Sequence, residues 1–428
     1  MKRLYSSLKS KAMICGKNGL LFIVDGVLIN AAIILTTGAF ISGFFVHLQA
    51  PDFLVGLINT ANVWATIFAL TSFYIFNRIK KTKRFLILTN VVSRSIICSV
   101  IALPHFANRG GLTPYYAATM VIVGNLIWSV YNVGANIWLM ASIPREERTP
   151  FIYMRFLWLR ISFTLTSVVM GFVLDAFGGG LIGFTVVFSV SFILSISDVL
   201  VLLKIPYVSG EGKNVNTMTP SLLAAPFKNR TFRNFLIFSA LFYMSYYASS
   251  AFTSLYLIKY MGFSYKVISI ILVLTYTVMI VSTVFWRNFE KRKGIIPAFK
   301  ISAIILALEQ LIYGFLFRGN VIIPFIAAFF GGVGSAGFNV IVFNYRYSVM
   351  PEDNITNYET WFMVVHGTGI LLGPIVGNLL RPALIPLLKG AAWISEFQAM
   401  YFIASAAAII SVFFFVGKRM EKSINVNK

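Results

Sequence analysis

Long apolar runs dominate this 428-residue sequence and constrain its fold more than any other feature. An α-helix needs about 20 mostly apolar residues to cross the hydrocarbon core of a bilayer. Runs of that length recur along the chain, separated by short segments that are charged or rich in Pro and Gly. Only 12% of the residues are charged, whereas soluble domains carry about 25%. The sequence therefore predicts membrane helices and excludes a soluble globular protein.

Twelve of these runs are expected to cross the membrane, and we number them spans 1 to 12. They lie at 20–45, 53–76, 85–105, 114–141, 151–176, 181–203, 232–258, 265–286, 295–317, 321–343, 358–380 and 393–416. Span 1 is too long for the apolar core of a signal peptide, so we expect it to remain in the protein as a helix. A longer polar stretch at 204–231 separates the first six spans from the last six.

The basic residues are distributed unevenly between the two sets of connecting segments. Most of the 36 Lys and Arg residues lie in the tails, in the loops after even-numbered spans and in the 204–231 stretch. The opposite loops carry only Arg109, Lys259, Lys266, Arg318, Arg381 and Lys389. Cytoplasmic loops carry the excess of Lys and Arg in membrane proteins. The pattern predicts a plasma or inner membrane protein with cytoplasmic termini. The net charge of +22 then faces anionic lipid, and we expect no nucleic-acid partner.

The two sets of six spans repeat one another. Ala39-Phe40-Ile41-Ser42 at the end of span 1 is matched by Ala251-Phe252-Thr253-Ser254 at the end of span 7, an offset of 212 residues. The basic loop 78–84 has a counterpart at 287–293, at nearly the same offset. Repeats of the same orientation are related by an axis along the membrane normal, with the substrate site at their interface.

This repeat defines the predicted architecture. We expect an all-α membrane protein of about twelve transmembrane helices in two pseudo-symmetric six-helix bundles. The N-terminal bundle is predicted at 1–203, the cytoplasmic central loop at 204–231 and the C-terminal bundle at 232–428.

Several local patterns resemble the major facilitator superfamily. The six-plus-six layout with a basic loop between spans 2 and 3 is similar to that family over essentially the whole chain. In that loop, Phe76-Asn77-Arg78-Ile79-Lys80-Lys81 keeps the family's Arg and basic run but lacks its Gly and Asp. Residues 226–233, Pro-Phe-Lys-Asn-Arg-Thr-Phe-Arg, resemble the family's lead-in to helix 7. The resemblance implies a secondary transporter that works by rocking of two bundles around a midplane site.

One glycine-proline pattern resembles a motif of the family's drug/proton antiporters. Gly369, Gly373, Pro374 and Gly377 have the spacing that these exporters carry in helix 5. Here the pattern falls in span 11, the repeat counterpart of span 5, and span 5 has no Pro. Such exporters also tend to carry an Arg in helix 4, and 114–141 contains none. The resemblance implies the superfamily without selecting this subgroup.

Asp25 is the leading candidate for a coupling residue. A charge within the bilayer costs about 2.5–3.5 kcal/mol on insertion scales, so it needs a partner or a role. Asp25 lies in span 1, a helix that lines the central cavity in the family that the chain resembles, and its repeat counterpart is Ile237. One hypothesis makes Asp25 a protonatable or cation-coordinating carboxylate. The alternative is a structural ion pair with one of three arginines in spans 3 and 5, namely Arg94, Arg155 or Arg160.

The other ionisable groups within spans are expected to be structural. Spans 3, 6, 9 and 12 are usually peripheral in the family, so Asp198 and Glu309 are predicted to stabilise the bundles. His366 in span 11 either protonates near physiological pH or packs as a neutral, hydrogen-bonded side chain.

Polar residues on several spans are predicted to line a cavity. In span 4, Asn125, Trp128, Asn132 and Asn136 are spaced by three, four and four residues, so they share one helix face. The remaining candidates are Asn59, Asn62, Tyr243, Tyr246, Tyr247, Ser335, Asn339 and His366. Amides at membrane depth are satisfied either by a water-filled cavity or by a neighbouring helix. A cavity of amides, hydroxyls and rings suits a neutral or amphipathic organic solute.

No catalytic or metal-binding pattern occurs in the sequence. It has no phosphate-binding Gly-rich loop, and its few His, Cys and acidic residues show no metal-ligand spacing. We therefore expect a monomeric secondary transporter that is not an enzyme and has no cofactor. Its partners would be the lipid bilayer, a small-molecule substrate and a coupling ion, a proton or Na⁺. The favoured function is proton-coupled export of an amphipathic compound through Asp25. The alternatives are uptake of a sugar or other small neutral nutrient, and a membrane sensor or assembly partner that transports nothing.

Overall fold

The structure is a computed structural model that describes 16–68, 71–72, 75–76, 79, 81–106, 111–144, 147–208, 220–351, 355–388, 394–417 and 420. These residues form helices and connecting turns, and none of them forms a strand. The predicted all-α membrane fold is confirmed. Several predicted features lie outside the described residues, namely most of the N-terminal tail with Cys15, Arg78 and Lys80 of the basic loop, Arg109, Arg145, 209–219, 352–354 and Lys389.

The helices follow one another with short connections. They are α1 (Gly16–Ile34), α2 (Gly38–His47), α3 (Asp52–Asn59), α4 (Ala61–Trp64), α5 (Thr82–Ser99), α6 (Leu103–Phe106), α7 (Thr113–Ser142), α8 (Arg148–Ala176), α9 (Leu181–Lys204), α10 (Pro220–Lys228), α11 (Arg230–Ser250), α12 (Thr253–Leu255), α13 (Tyr265–Lys293), α14 (Ile295–Tyr313), α15 (Ile322–Val349), α16 (Ile355–Leu387) and α17 (Glu396–Phe415). Among the described residues, 11 helical segments are long and apolar enough to cross a membrane. They coincide with spans 1 and 3 to 12. Span 2 begins as α3, α4 and a 3₁₀ turn at Ala65–Phe68, and it continues into residues that are only partly described.

The first span is interrupted between α1 and α2 without a proline. The hydroxyls of Thr36 and Thr37 both donate to the carbonyl oxygen of Ile33, at 3.2 and 2.9 Å. Gly38 then adopts a φ of +56°, which glycine tolerates at low cost. Side-chain hydroxyls compete with the backbone for helix carbonyls, so this Thr-Thr-Gly sequence explains the break.

Contacts divide the chain into two compact units. The first unit comprises Met1–Ala50 and Phe68–Asn216, and the second comprises Pro51–Ile67 and Thr217–Lys428. The predicted domains placed 51–67 with the first bundle, whereas its contacts lie with the second unit. A Cβ on Gly56 would lie 2.5 Å from the ring of Phe252, and Asn59 Nδ2 donates to the carbonyl oxygen of Ala251 at 2.9 Å.

In the first unit, α1 packs against α8 and α9 through small and polar groups. A Cβ on Gly26 would lie 2.6 Å from the Leu159 side chain, so a larger residue here would force that side chain to move. Ser162 on α8 donates to the carbonyl oxygen of Val27 at 2.9 Å. Small residues and hydroxyls of this kind stabilise helix contacts within membranes. They hold the inward face of α1 close to α8.

In the second unit, α16 lies directly against the backbone of α11. Gly369, Gly373 and Gly377 recur every fourth residue on one face of α16, and a Cβ on any of them would approach α11 to within 3.0 Å. At Gly377 the added Cβ would lie 2.1 Å from the carbonyl oxygen of Ala248. The glycine-proline pattern is therefore a helix-packing surface in this chain.

Candidate functional site

A cavity of about 380 Å³ lies within the first unit. Its polar lining comes from α1, α7 and α8, namely Asp25, Asn30, Trp128, Tyr131, Asn132, Asn136 and Arg155. Apolar and aromatic side chains, including Phe22, Ile33 and Phe156, form much of the remaining wall. Ligand sites in proteins have volumes of about 300–1,000 Å³ and combine mostly apolar walls with a few polar groups. The cavity has the size and lining of a small-molecule site.

Asp25 is the acidic residue of this cavity, and Arg155 is its ion-pair partner. Asp25 is only 5% exposed, and its Oδ2 lies 3.4 Å from Arg155 Nη2. Arg155 also donates through Nε to the carbonyl oxygen of Phe22 at 3.2 Å. The ion pair is therefore longer than a strong charge-assisted hydrogen bond, which spans about 2.7–2.9 Å. Of the three arginines predicted as partners, Arg155 is the one that lines the cavity.

A second buried carboxyl group lies beside Asp25. Asp198 on α9 is fully buried, accepts a hydrogen bond from Asn90 Nδ2 at 2.9 Å, and comes within side-chain hydrogen-bonding reach of Asp25. The Oδ1 atoms of both aspartates are buried and have no hydrogen-bond partner among the described residues. The sequence predicted only a bundle-stabilising role for Asp198, and the structure brings it to the candidate coupling residue.

Arg94 of α5 lies near this charged cluster and contacts α7. Its guanidinium carbon is 3.9 Å from the centre of the Trp128 ring, the geometry of a cation–π contact. Arg94 is 3% exposed, and its Nε has no partner among the described residues. The first unit therefore places two acidic and two basic side chains close to one cavity, of which Asp25, Asp198 and Arg94 are buried and Arg155 is partly exposed. Arg160, the third predicted ion-pair partner, is absent from the cavity lining.

The predicted polar face of α7 lines the cavity along most of its length. Trp128, Asn132 and Asn136 all contribute to the lining, and Asn136 Nδ2 donates to Asn132 Oδ1 at 3.3 Å. Asn125 does not contribute. Its Nδ2 donates to the carbonyl oxygen of Val121 at 2.8 Å, so its amide is satisfied by its own helix, nearly one turn from the cavity.

The other predicted cavity residues lie in the second unit, where five of them make helix contacts. Asn59 is hydrogen-bonded to the α11 end as described above. Tyr246 donates its hydroxyl to Glu309 at 2.8 Å, and the rings of Tyr246 and Tyr247 are 5.4 Å apart. The ring of Tyr243 lies 4.3 Å from the His366 ring, and His366 Nδ1 has no partner among the described residues. Asn62 and Ser335 are partly buried, and Asn339 is exposed.

Sequence reasoning missed three groups near the first-unit cavity. Asn30 and Tyr131 line it, and Asn90 holds Asp198. Asn90 and Arg94 are four residues apart on α5, so their shared helix face was a usable signal. Aromatic residues are frequent in this chain, so nothing in the sequence distinguished Tyr131 as a cavity residue.

The sequence also missed an ion cluster in the second unit. Asp52 Oδ1 lies 2.6 Å from Lys259 Nζ, and Asp52 Oδ2 accepts hydrogen bonds from Tyr260 and from Arg381. Arg381 also pairs with Glu396 at 3.5 Å. Burial acts to raise the pKa of Asp52, but the hydrogen bonds from Lys259 and Tyr260 and the nearby cationic charges outweigh it, so this pKa lies below its ordinary value. The sequence analysis treated Lys259 and Arg381 only as loop charges.

Arg346 is a further difference from the sequence-based expectation. It was assigned to a connecting segment, yet it lies in the last turn of α15 and is 7% exposed. Its Nε lies 3.0 Å from Glu359 Oε2, and its guanidinium carbon lies 4.2 Å from the Phe362 ring centre. The rings of Phe343 and Tyr347 lie 5.4 Å from the same carbon, so the charge is accommodated by one acid and three aromatic rings.

Comparison with known proteins identifies the family. A family model described as Major Facilitator Superfamily matches residues 26–374. No curated protein sequence matches the chain. Its fold is similar to a crystal structure of the nucleoside transporter NupG, with a TM-score of 0.69 at 18% identity over 93% of this chain and 98% of that chain.

Two further structures share the fold. A D-xylose-proton symporter aligns with a TM-score of 0.67 at 14% identity, over 94% of this chain and 98% of that one. The POT family transporter PepTSo aligns with a TM-score of 0.74 at 10% identity, over 96% of this chain and 99% of that one. At these identities the likeness is one of fold. Because the family model covers most of the sequence, and membrane helices make up the described structure, the chain belongs to the Major Facilitator Superfamily.

Proposed function

We propose that the protein is a proton-coupled secondary transporter of a small organic solute, in which Asp25 and Asp198 carry the coupling proton. The observation that carries this proposal is the proximity of two buried carboxyl groups beside a cavity of small-molecule size, each with one oxygen that has no hydrogen-bond partner among the described residues. Two carboxylates in contact repel each other, and one shared proton relieves this repulsion. The same proton supplies the donor that the two unpaired oxygens lack.

Arg155 fits the role of a counter-charge that responds to this proton. Its contact with Asp25 is long, and its Nε is already held by the Phe22 carbonyl oxygen. When the proton leaves the pair, both aspartates are ionised, and Arg155 is close enough to stabilise Asp25. When a proton binds, the attraction weakens, and the Arg155 guanidinium is free to turn towards a solute in the cavity. The proton comes from water on one side of the membrane and returns to water on the other.

The lining supports a neutral or amphipathic solute, and the proposed direction is export. Phe22, Trp128 and Phe156 offer apolar surface to one face of such a molecule. The proposed location is the plasma or inner membrane, with cytoplasmic termini supported by the distribution of Lys and Arg. The proposed transporter acts as a monomer.

Uptake of a small neutral nutrient is the second candidate, and the amide lining favours it. Asn30, Asn132 and Asn136 place hydrogen-bonding groups in one cavity, as recognition of hydroxyl groups requires. Two of the proteins with a similar fold are named a nucleoside transporter and a D-xylose-proton symporter. Nucleosides and pentoses are therefore suitable test solutes beside amphipathic dyes.

The test is transport by purified protein in proteoliposomes under an imposed pH gradient, with nucleosides, sugars, peptides and amphipathic dyes as solutes. We expect Asp25→Asn and Asp198→Asn to lose gradient-driven flux and to keep solute exchange at equal pH. Asp175→Asn, an acid at the end of α8 outside the cavity lining, is the matched control and should behave as wild type. Gradient-driven flux that persists in both cavity variants contradicts the coupling role. A complete lack of flux across the panel favours a sensor or assembly partner.

A further inference from the structure

Glu309 is a carboxyl residue of the second unit, whereas Asp25 and Asp198 belong to the first. Glu309 is on α14, near its C-terminal end, and its Oε2 accepts a hydrogen bond from the Tyr246 hydroxyl of α11 at 2.8 Å. Among the described residues, the ion pairs of this unit involve other acids, and none includes Glu309. An ionisable group within a membrane bundle is a functional candidate when a cation does not neutralise it.

The fold leaves space for this side chain. A Cβ on Gly331 of α15 would lie 2.5 Å from Glu309 Cδ and 2.6 Å from Oε1, so any larger residue would displace the carboxyl group. Gly331 belongs to a run of small residues along which α14 and α15 pack closely. The carboxyl group is therefore fitted between α11 and α15.

If Glu309 served only to hold α14 against α11, it would duplicate the role of its neighbour Gln310. Gln310 accepts a hydrogen bond from the Ser249 hydroxyl at 2.9 Å, and this contact already ties α14 to α11 between fully buried residues. A neutral glutamine is sufficient for that tie. An acid in the adjacent position adds the ability to bind and release a proton.

Among the described residues, the titratable groups that face Glu309 are phenols. Tyr246 and Tyr247 face it from α11, Tyr313 from its own helix and Tyr401 from α17, while α15 contributes Gly331. Phenols stay neutral at physiological pH. When Glu309 gains or loses a proton, no charged neighbour among the described residues therefore offsets the change in its charge.

We propose that Glu309 is a second proton-binding site of the protein, with Tyr246 as its hydrogen-bond partner in both protonation states. In the ionised state the Tyr246 hydroxyl donates to Oε2, as in the structure. After a proton from water binds, the carboxylic acid donates to the Tyr246 oxygen, and no net charge remains between the helices. Glu309 is partly exposed in the structure, and the proposal requires water to reach it from this exposed side. The site does not depend on Asp25 as the coupling residue.

The test is infrared difference spectroscopy of full-length protein in lipid nanodiscs during a pH titration from about pH 5 to about pH 9, which spans the range in which buried carboxyl groups titrate. We expect a carbonyl-stretch band of a protonated carboxylic acid that disappears as pH rises. Glu309→Gln should remove this band, and Tyr246→Phe should shift its frequency by removing the hydrogen bond. Glu396→Gln, an acid of the same unit that pairs with Arg381, is the control and should leave the band in place.

Counting protons released in a pH jump provides a second readout. Glu309→Gln should release one proton fewer per molecule than wild type over the same range, and Asp25→Asn should retain the Glu309 band. If Glu309→Gln leaves the spectrum and the proton count unchanged, Glu309 does not titrate and the proposal is overturned. If Glu309→Gln does not fold, a Tyr246→Phe spectrum in which no carboxylic-acid band is shifted from wild type overturns it equally. These outcomes are separate from the flux of the Asp25 variants, so either proposal fails without the other.

Discussion

Arg381 Nη1 donates to Asp52 Oδ2 across 3.0 Å, and this contact joins the first residue of α3 to the last turns of α16. Lys259 holds the other oxygen of the same carboxylate, and the Arg381 guanidinium carbon lies 3.8 Å from the centre of the Phe397 ring. One carboxylate thus binds two cations. The cluster helps to explain why residues 51–67 make their contacts with the second unit.

Replacement of Asp52 should therefore weaken the second unit. Asp52→Asn removes the charge that two cations share, and we expect the free energy of unfolding to fall by about 1.5–3 kcal/mol, the range for hydrogen bonds to charged groups. Equilibrium unfolding in mixed micelles measures the difference. Glu396→Gln should cost less, because its contact with Arg381 is 3.5 Å long and its side chain is 29% exposed. Equal losses in the two variants would contradict the central position of Asp52.

The same cluster should respond to acid. The pKa of Asp52 lies below its ordinary value in the folded protein, so the folded state binds this proton less readily than the unfolded chain does. The stabilisation is fully present above the unfolded pKa of about 3.9 and is lost as pH falls through the lower folded value. We expect the stability difference between wild type and Asp52→Asn to be constant near neutral pH and to shrink below about pH 4. A difference that shrinks between pH 6 and pH 8 would show that another group is responsible.

A double-mutant cycle distinguishes a proton-coupling role of Asp25 from a purely structural role. Asp25→Asn leaves the largely buried Arg155 without its counter-charge, so this variant should be less stable than wild type. Adding Arg155→Gln removes the unpaired charge and should restore part of the stability. If the pair were only structural, the double variant would also regain gradient-driven transport. We expect it to remain uncoupled, which proteoliposome flux and thermal unfolding of the same preparations would establish.

The positions of Gly369, Gly373 and Gly377 on α16 should tolerate no side chain. Gly377→Ala places a Cβ 2.1 Å from the Ala248 carbonyl oxygen, and separating the two helices should cost about 1–3 kcal/mol of stability, as overpacking does. Leu379→Ala lies on the same helix, 65% exposed, and serves as the control. The apparent melting temperature should fall in the glycine variant and change little in the control. A wild-type melting temperature for Gly377→Ala would mean that the helices are not in contact here.

The spans could be predicted from sequence because hydropathy and length are local properties. Each of the 11 helical segments found by length and composition coincides with a predicted span. The polar face of α7 was also predictable, because helical spacing places Trp128, Asn132 and Asn136 on one side. Where that face leaves the cavity was not predictable: Asn125 is buried outside the cavity lining, and its amide bonds to its own helix.

The partners of the buried charges depend on helix rotation, which the sequence does not specify. An apolar span has no strongly polar side to orient it. For this reason the contact of Asp198 with Asp25 was missed, although both residues were recognised as unusual. The grouping of 51–67 with the second unit rests on contacts between residues far apart in the chain, such as the close approach of Gly56 to Phe252 and the ion pair of Asp52 with Arg381.

The backbone contact between α11 and α16 also limits how this protein can evolve. At Gly369, Gly373 and Gly377 every one of the other amino acids adds atoms to space that α11 already occupies. Descendant sequences should therefore vary freely on the outer surface of α16, at positions such as Leu372 and Leu379, while these three glycines are retained. A lineage that lost one of them would need a compensating change in α11 before its descendants recovered the ancestral helix spacing.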